Sequence, residues 1–215
     1  MLKIYGANMS SPANKVRFVA NALGLKYEYV PVNIRTGENK TEQFLKLHPA
    51  GKIPVIDDDG FALFESNAII KYLAQKNKSP IYPQDLKARA RVDQWMDFAA
   101  LHVGTAVSRV LFNRVFAPRI NVPVDERSLQ DGIIFLGRFL PVVDAQLKEN
   151  KFIAGNELSL ADFSLLSALD PCEVIQVDLS AYNGIVRWRN ALKKEAFYTQ
   201  CHSSYEDALA ALAAK

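Results

Sequence analysis

The sequence predicts an α/β domain followed by an all-α domain, and three observations carry that expectation. Strand and helix patterns alternate through the first eighty residues, with period-2 and period-3.6 apolar spacing in turn. The composition then turns polar around Pro80 and Pro83, as an inter-domain segment does. Everything beyond repeats apolar residues three and four apart, which is helical spacing. The expected bounds are residues 1–76 for the first domain, 77–84 for the linker and 85–215 for the helical domain.

Each element has its own local reason. Leu2 to Tyr5 is a short apolar strand ending at Gly6. Pro12 to Leu23 keeps helical period, with Val16, Val19, Ala20 and Leu23 on one face, and Gly24 stops it. Lys26 to Val32 alternates as a second strand, and the polar loop Arg35 to Thr41 leads into a helical turn around Phe44 and Leu47. Ile53–Ile56 and Phe61–Phe64 form a hairpin around Asp58-Asp59-Gly60, and Ser66 to Gln75 is a helix. The order βαβ-α-ββ-α suggests a mixed sheet covered by helices.

In the second domain, Asp85 to Phe116 carries Val92, Trp95, Met96, Ala99, Val103, Ala106 and Val110 at mixed three and four spacing. Pro118 to Pro123 should break it, and Asp125 to Lys148 resumes, with Pro141 expected to kink or divide the helix. At Leu158–Phe163, Ser159 and Asp162 have the spacing of a capping box, with Leu158 and Phe163 as its hydrophobic staple. Final helices are expected around Ile185–Leu192 and Tyr205–Ala214.

Composition excludes several function classes. Hydrophobic content of 49% with 23% charged residues is that of a soluble globular chain. A net charge of +3, with Lys and Arg dispersed, makes no electrostatic case for nucleic acid. No apolar run approaches the ~18 residues of a membrane span, and no membrane partner is expected. A strand directly after Met1 leaves no room for a signal peptide. Cys172 and Cys201 form no metal or redox spacing, and a reducing cytoplasm is the simplest expectation. His48, His102 and His202 are scattered, so no metal is implied.

Three short segments could carry chemistry. In Ser10-Ser11-Pro12, Pro12 suits a first helical turn, and Ser11 is the natural N-cap by spacing. The same helix end favours an anion, and a serine hydroxyl there could donate to a bound thiolate. A thiol with pKa ~8.5 needs only ~1.4 kcal/mol of preferential thiolate stabilisation to drop one unit, within reach of one charge-assisted hydrogen bond. Ile53-Pro54 opens a strand, either as a plain edge or as a place where Ile53 offers its backbone to an extended peptide. Glu65-Ser66 opens a helix, with Ser66 the N-cap by residue type. Glu65 could face a ligand ammonium group there. Lys40 and Lys52 could meet a second carboxylate, or could simply be solvated.

In this order and spacing, the segments resemble the glutathione transferase superfamily over essentially the whole chain. They sit nearest its serine-using phi and theta classes. The matching residues are Lys3-Ile4-Tyr5-Gly6 with Ser10 and Val16, Asn39-Lys40, His48-Pro49-Ala50-Gly51-Lys52-Ile53-Pro54, Leu63-Phe64-Glu65-Ser66-Asn67-Ala68-Ile69 and Ser159-Leu160-Ala161-Asp162. His48 stands where the family usually has asparagine, and Asn39 where phi-like members often have histidine.

The resemblance implies a thioredoxin-like first domain and conjugation of glutathione, the co-substrate, to a small hydrophobic electrophile. By the same resemblance Ser10 would bond the glutathione sulfur, and Lys40 and Lys52 would lie near the glycyl carboxylate. Ile53, before a cis-Pro54, would pair with the cysteinyl unit, and Glu65 with Ser66 would hold the γ-glutamyl end. Phe112 and Phe116 are candidates for the electrophile pocket, and a homodimer is implied. The alternatives are a non-catalytic carrier of glutathione and hydrophobic ligands, or a glutathione-dependent isomerase or peroxidase. The Ser-Ser pair is shared with isomerising zeta members, which continue with cysteine where this chain has Pro12.

Overall fold

Four strands order the amino-terminal half of the chain. In the computed structural model, which describes residues 1–202, 204–207 and 209, β1 (Leu2–Gly6) pairs in parallel with β2 (Tyr27–Pro31). On its other side β1 pairs antiparallel with β3 (Val55–Asp58), and β3 pairs antiparallel with β4 (Phe61–Phe64). The sheet order is β2-β1-β3-β4. Ile4 lies opposite both Tyr29 and Ile56, and Ile4 and Ile56 have no exposed surface. Burying each is worth roughly 2 kcal/mol.

Helices α1 (Ser11–Ala22) and α3 (Ser66–Lys76) cover one face of this sheet. Val16, Phe18 and Val19 of α1 and Ile69, Ile70 and Leu73 of α3 join one core with the helical domain. On the opposite face Phe44, from α2 (Glu42–Leu47), packs with Val32 and Val55 in a smaller cluster. The expected α/β layering is therefore present, with β2 and α1 each shifted by about one residue at their ends.

Beyond Lys76 the next helix, α4 (Leu86–Asp97), starts at an Asp85 N-cap. It continues through a π-helical stretch at Phe98–Gly104, α5 (Thr105–Leu111), a second π-helical stretch at Phe112–Phe116 and α6 (Ala117–Arg119). Each wide turn resets the phase of the buried face, which accounts for the mixed spacing in the sequence. Pro118 lies in the first turn of α6, where a missing N–H is tolerated, so the break falls after Arg119.

Helix α7 (Glu126–Glu149) runs without interruption through Pro141, against the expected division. Pro141 and Gly137, four residues earlier, are both exposed, so the carbonyl deprived of its partner can meet water. Helix α8 (Leu160–Leu169) is buried on nearly every side, packing on α1 and α4. The chain then forms α9 (Asn183–Leu192) and α10 (Ala196–Thr199), the latter unforeseen from the sequence. Of the expected helix Tyr205–Ala214, Tyr205 to Asp207 are helical, while residues 208 and 210–214 lie outside the described residues. Among the described residues no helix is long and apolar enough to cross a membrane.

The start of α9 is capped from another helix. Its own cap position, Tyr182, offers no side-chain bond. Instead Asp144 of α7 accepts from the amides of Gly184 at 2.7 Å and Ile185 at 3.2 Å, and Lys148 pairs with Asp144 at 2.6 Å. A Cβ on Gly184 would lie 2.7 Å from the Asp144 carbonyl oxygen and 3.0 Å from its carboxylate. Gly184→Ala is therefore expected to cost about 1–3 kcal/mol by forcing α7 and α9 apart. A fall in the urea midpoint at unchanged slope checks it.

Candidate functional site

The end of β1 and the start of α1 are held close by the absence of a side chain at Gly6. A Cβ there would sit 2.7 Å from that of Ala13. Between them Ser10 adopts an extended backbone, φ −87° and ψ 104°, and its hydroxyl accepts from the Ala13 amide at 3.3 Å. The N-cap is thus Ser10, not Ser11, which is already the first helical residue. Ser11 instead lies within hydrogen-bond reach of the Tyr205 phenol, and that phenol donates to the Met9 carbonyl at 2.7 Å. Capping uses only an acceptor lone pair of Ser10, so its hydroxyl proton stays available to a ligand.

A second wall forms around the Ile53-Pro54 bond, which is cis. The β3 ladder starts at Val55, so the amide and carbonyl of Ile53 stay outside it. Pro54 is buried and Ile53 leans on the cluster of Val32, Phe44 and Val55. Asn39 donates to the Gly51 carbonyl at 2.7 Å, tying together the loops that carry Lys40 and Lys52. Gly51 has φ +60°, and a Cβ there would meet the Asn39 carbonyl oxygen at 2.7 Å, so this crossing requires glycine. Lys40 and Lys52 are exposed beside it. Buried His48 accepts from the Ala50 amide at 3.2 Å, which gives it a turn-forming role.

The third wall is the start of α3. Glu65 occupies the cap position with φ +69° and ψ 106°, its side chain exposed and making no cap bond. Ser66 is the first helical residue rather than the N-cap expected from its type. Its hydroxyl is turned instead to Lys15, whose ammonium donates to Ser66 Oγ at 3.0 Å and Asn67 Oδ1 at 2.7 Å. Ser164 of α8 adds a bond to Asn67 Oδ1 at 3.3 Å. Lys15 is only 7% exposed. Burial lowers its pKa to about 8, the nearby Glu65 carboxylate opposing that fall. Sequence reading missed Lys15, although its place four residues before Val19, on the buried face of α1, was the available signal.

The aromatic candidates lie elsewhere on the long helix. Phe112 is 42% exposed, while Phe116 packs against the main core. Two concavities in the helical domain, of about 210 and 560 Å³, are lined by Ile133, Leu140 and Tyr182 and by Trp95, Pro141 and Val142 respectively. Neither includes Ser10, Phe112 or Phe116. The bonds from Lys15 to Ser66 and Asn67 join the first wall to the third.

Comparison with known proteins places the chain in a family. Residues 1–75 match the model of the glutathione S-transferase N-terminal domain and residues 135–195 that of its C-terminal domain. Glutathione S-transferase 1 of Zea mays is 34% identical over 167 residues, covering 77% of this chain and 78% of the relative. The crystal structure of glutathione transferase F7 from Populus trichocarpa superposes with a TM-score of 0.87 at 27% identity, covering 97% of this chain and 99% of that one. A glutathione transferase homologue from Drosophila mojavensis, solved with bound glutathione, has a TM-score of 0.85 at 29% identity, covering 100% of this chain and 97% of that one. With a serine at the head of α1, a thioredoxin-like first domain and these relatives, the chain belongs to the glutathione S-transferase family and is phi-like within it.

Proposed function

We propose that this glutathione transferase conjugates reduced glutathione to hydrophobic electrophiles, with Ser10 as the catalytic residue. The observation that carries this reading is the Ser10 hydroxyl, which caps α1 as an acceptor and keeps its proton free. Donated to the glutathione sulfur, that proton favours the thiolate, with the helix dipole acting in the same direction. The thiol proton passes to solvent, the thiolate attacks an electrophilic carbon, the leaving group departs with its electron pair, and the enzyme is unchanged. The protein contributes sulfur activation and the holding of both reactants together.

The remaining assignments follow the three walls. Ile53, turned out of the ladder before Pro54, pairs its backbone with the cysteinyl unit. Lys40 and Lys52 attract the glycyl carboxylate. Glu65 pairs with the γ-glutamyl ammonium, and the first-turn amide at Ser66 receives its carboxylate. Phe112, partly exposed on the long helix, and Phe116 line the electrophile pocket. Leu86 and Leu101, 79% and 66% exposed on the same helix, support burial against a second copy in a homodimer. A detoxifying role in the cytoplasm is the setting this chemistry suits.

The test is conjugation of glutathione to a chloronitroaromatic, followed by absorbance, beside a glutathione titration by calorimetry. Wild type should do both. Glu65→Ala should weaken glutathione binding by about ten- to hundredfold, the range of one charge-assisted hydrogen bond, without loss of fold because Glu65 is exposed. Binding without conjugation would make the protein a carrier. Activity restricted to isomerisation or peroxide reduction in a substrate panel would reassign the thiolate's acceptor. Folded protein that takes up no glutathione would end the reading altogether.

A further inference from the structure

We propose that Lys15 is a positioning residue for glutathione, locking the Glu65–Ser66–Asn67 turn to the helix that presents Ser10. The inference rests on the glutathione reading above and names a determinant of affinity that no cap or motif supplies.

Glu65 holds φ +69° and ψ 106°, a backbone region that non-glycine residues rarely occupy. Such a conformation costs of order 1–3 kcal/mol and persists only where its surroundings over-determine it. The helix supplies no side-chain cap at this point. What holds the turn is Lys15, reaching from α1 to the first two residues of α3 through bonds of 3.0 and 2.7 Å. Asn67 in turn receives Ser164 from α8, so three helices meet on one ammonium group and one amide.

A buried lysine is costly to keep, and its stem alone does not explain its presence on an otherwise apolar face. Its charge has a use there. Glu65 is the charged group whose field acts on Lys15; the other groups facing it, Ser66 and Asn67, are neutral. The ammonium therefore holds the backbone that carries Glu65, through Ser66 and Asn67, and adds positive potential at the end of α3 where the γ-glutamyl carboxylate is to bind. Because its pKa lies at about 8, the charge is present at pH 6.5 and is lost above pH 8. The two donated bonds then become neutral and weaker.

Steady-state kinetics on Lys15→Met and Lys15→Arg, with calorimetric glutathione titration, test the assignment. Lys15→Met should raise the KM for glutathione by about tenfold, with kcat at saturating glutathione held within about twofold, the pattern of lost ground-state binding. Lys15→Arg, which keeps its charge at every accessible pH, should restore KM to within about threefold at pH 6.5. It should also remove the additional rise in KM expected of wild type above pH 8. Folded Lys15→Met with an unchanged KM would overturn the proposal. So would a uniform loss of activity tracking only the fraction of folded protein, or parallel pH profiles in wild type and Lys15→Arg. If Lys15→Met does not fold, Asn67→Leu removes one receiving oxygen while retaining the lysine and should raise KM alone; an unchanged KM there overturns the proposal equally. Wild type that neither binds nor conjugates glutathione would instead fail the parent reading, a separate result.

Discussion

Ser10→Ala should lower kcat/KM for conjugation by about ten- to hundredfold near pH 6.5, the worth of one hydrogen bond to a charged sulfur. The substitution deletes a single oxygen at the head of α1, where the hydroxyl accepts from Ala13 and keeps its own proton free. Without that donor the bound thiol returns toward its solution pKa of ~8.5. The sign of the pH dependence follows directly. The deficit is largest below the free thiol pKa, where wild type alone holds the thiolate, and it narrows toward pH 9 as ionisation no longer needs help. Stability should fall too, by about 1 kcal/mol, because the same atom caps the helix. A rate that is unchanged, or a deficit that grows with pH, would remove Ser10 from the chemistry and leave it a cap.

The largest expected stability change is at Asp162→Ala, at about 3–5 kcal/mol. The Asp162 carboxylate is fully buried and receives four bonds, from the Ile153 amide at 2.9 Å, the Ser159 amide and hydroxyl at 3.0 Å each, and the Trp188 indole at 2.9 Å. It ends as a hub joining the 152–155 turn, the start of α8 and the middle of α9. Deleting it strands donors that cannot reach water, each worth ~1–3 kcal/mol, and shared neighbours make the total less than their sum. Against a typical total of roughly 5–15 kcal/mol, much of the protein's margin is lost. Equilibrium urea unfolding measures it, and low soluble yield at 37 °C is the cruder sign. Asp162→Asn is the informative control, since an amide turns one acceptor into a donor facing donors and should rescue only part. A shift under ~1 kcal/mol in both would mean that the hub is dispensable.

Much of this molecule was legible because its core is patterned at the two periods that chains reveal. Val16 and Val19, or Ile69 and Leu73, announce a helix face whatever else surrounds them. The hairpin around Gly60 announces itself by its turn. The capping box at Ser159 and Asp162 was visible because its two members are three residues apart and both local. Where the reading slipped, it slipped by one residue at helix starts, choosing Ser11 over Ser10 and Ser66 over Glu65. Residue type says which side chains can cap, whereas the backbone decides which residue stands outside the helix. The uninterrupted run through Pro141 depends on solvent reaching the carbonyl of Gly137, which a pattern cannot supply. Lys15 and the Asn39–Gly51 crossing were missed because their partners are distant in sequence, and an isolated lysine most often belongs to solvent.

The bond from Tyr205 to the Met9 carbonyl joins positions 196 residues apart. Its bearing is on biosynthesis. A nascent chain leaves the ribosome amino end first and folds its first domain as it emerges, yet the loop before α1 receives the Tyr205 bond only after nearly two hundred further residues have followed it. Tyr205→Phe, which deletes that one hydroxyl, should therefore loosen a turn whose own residues were synthesised long before.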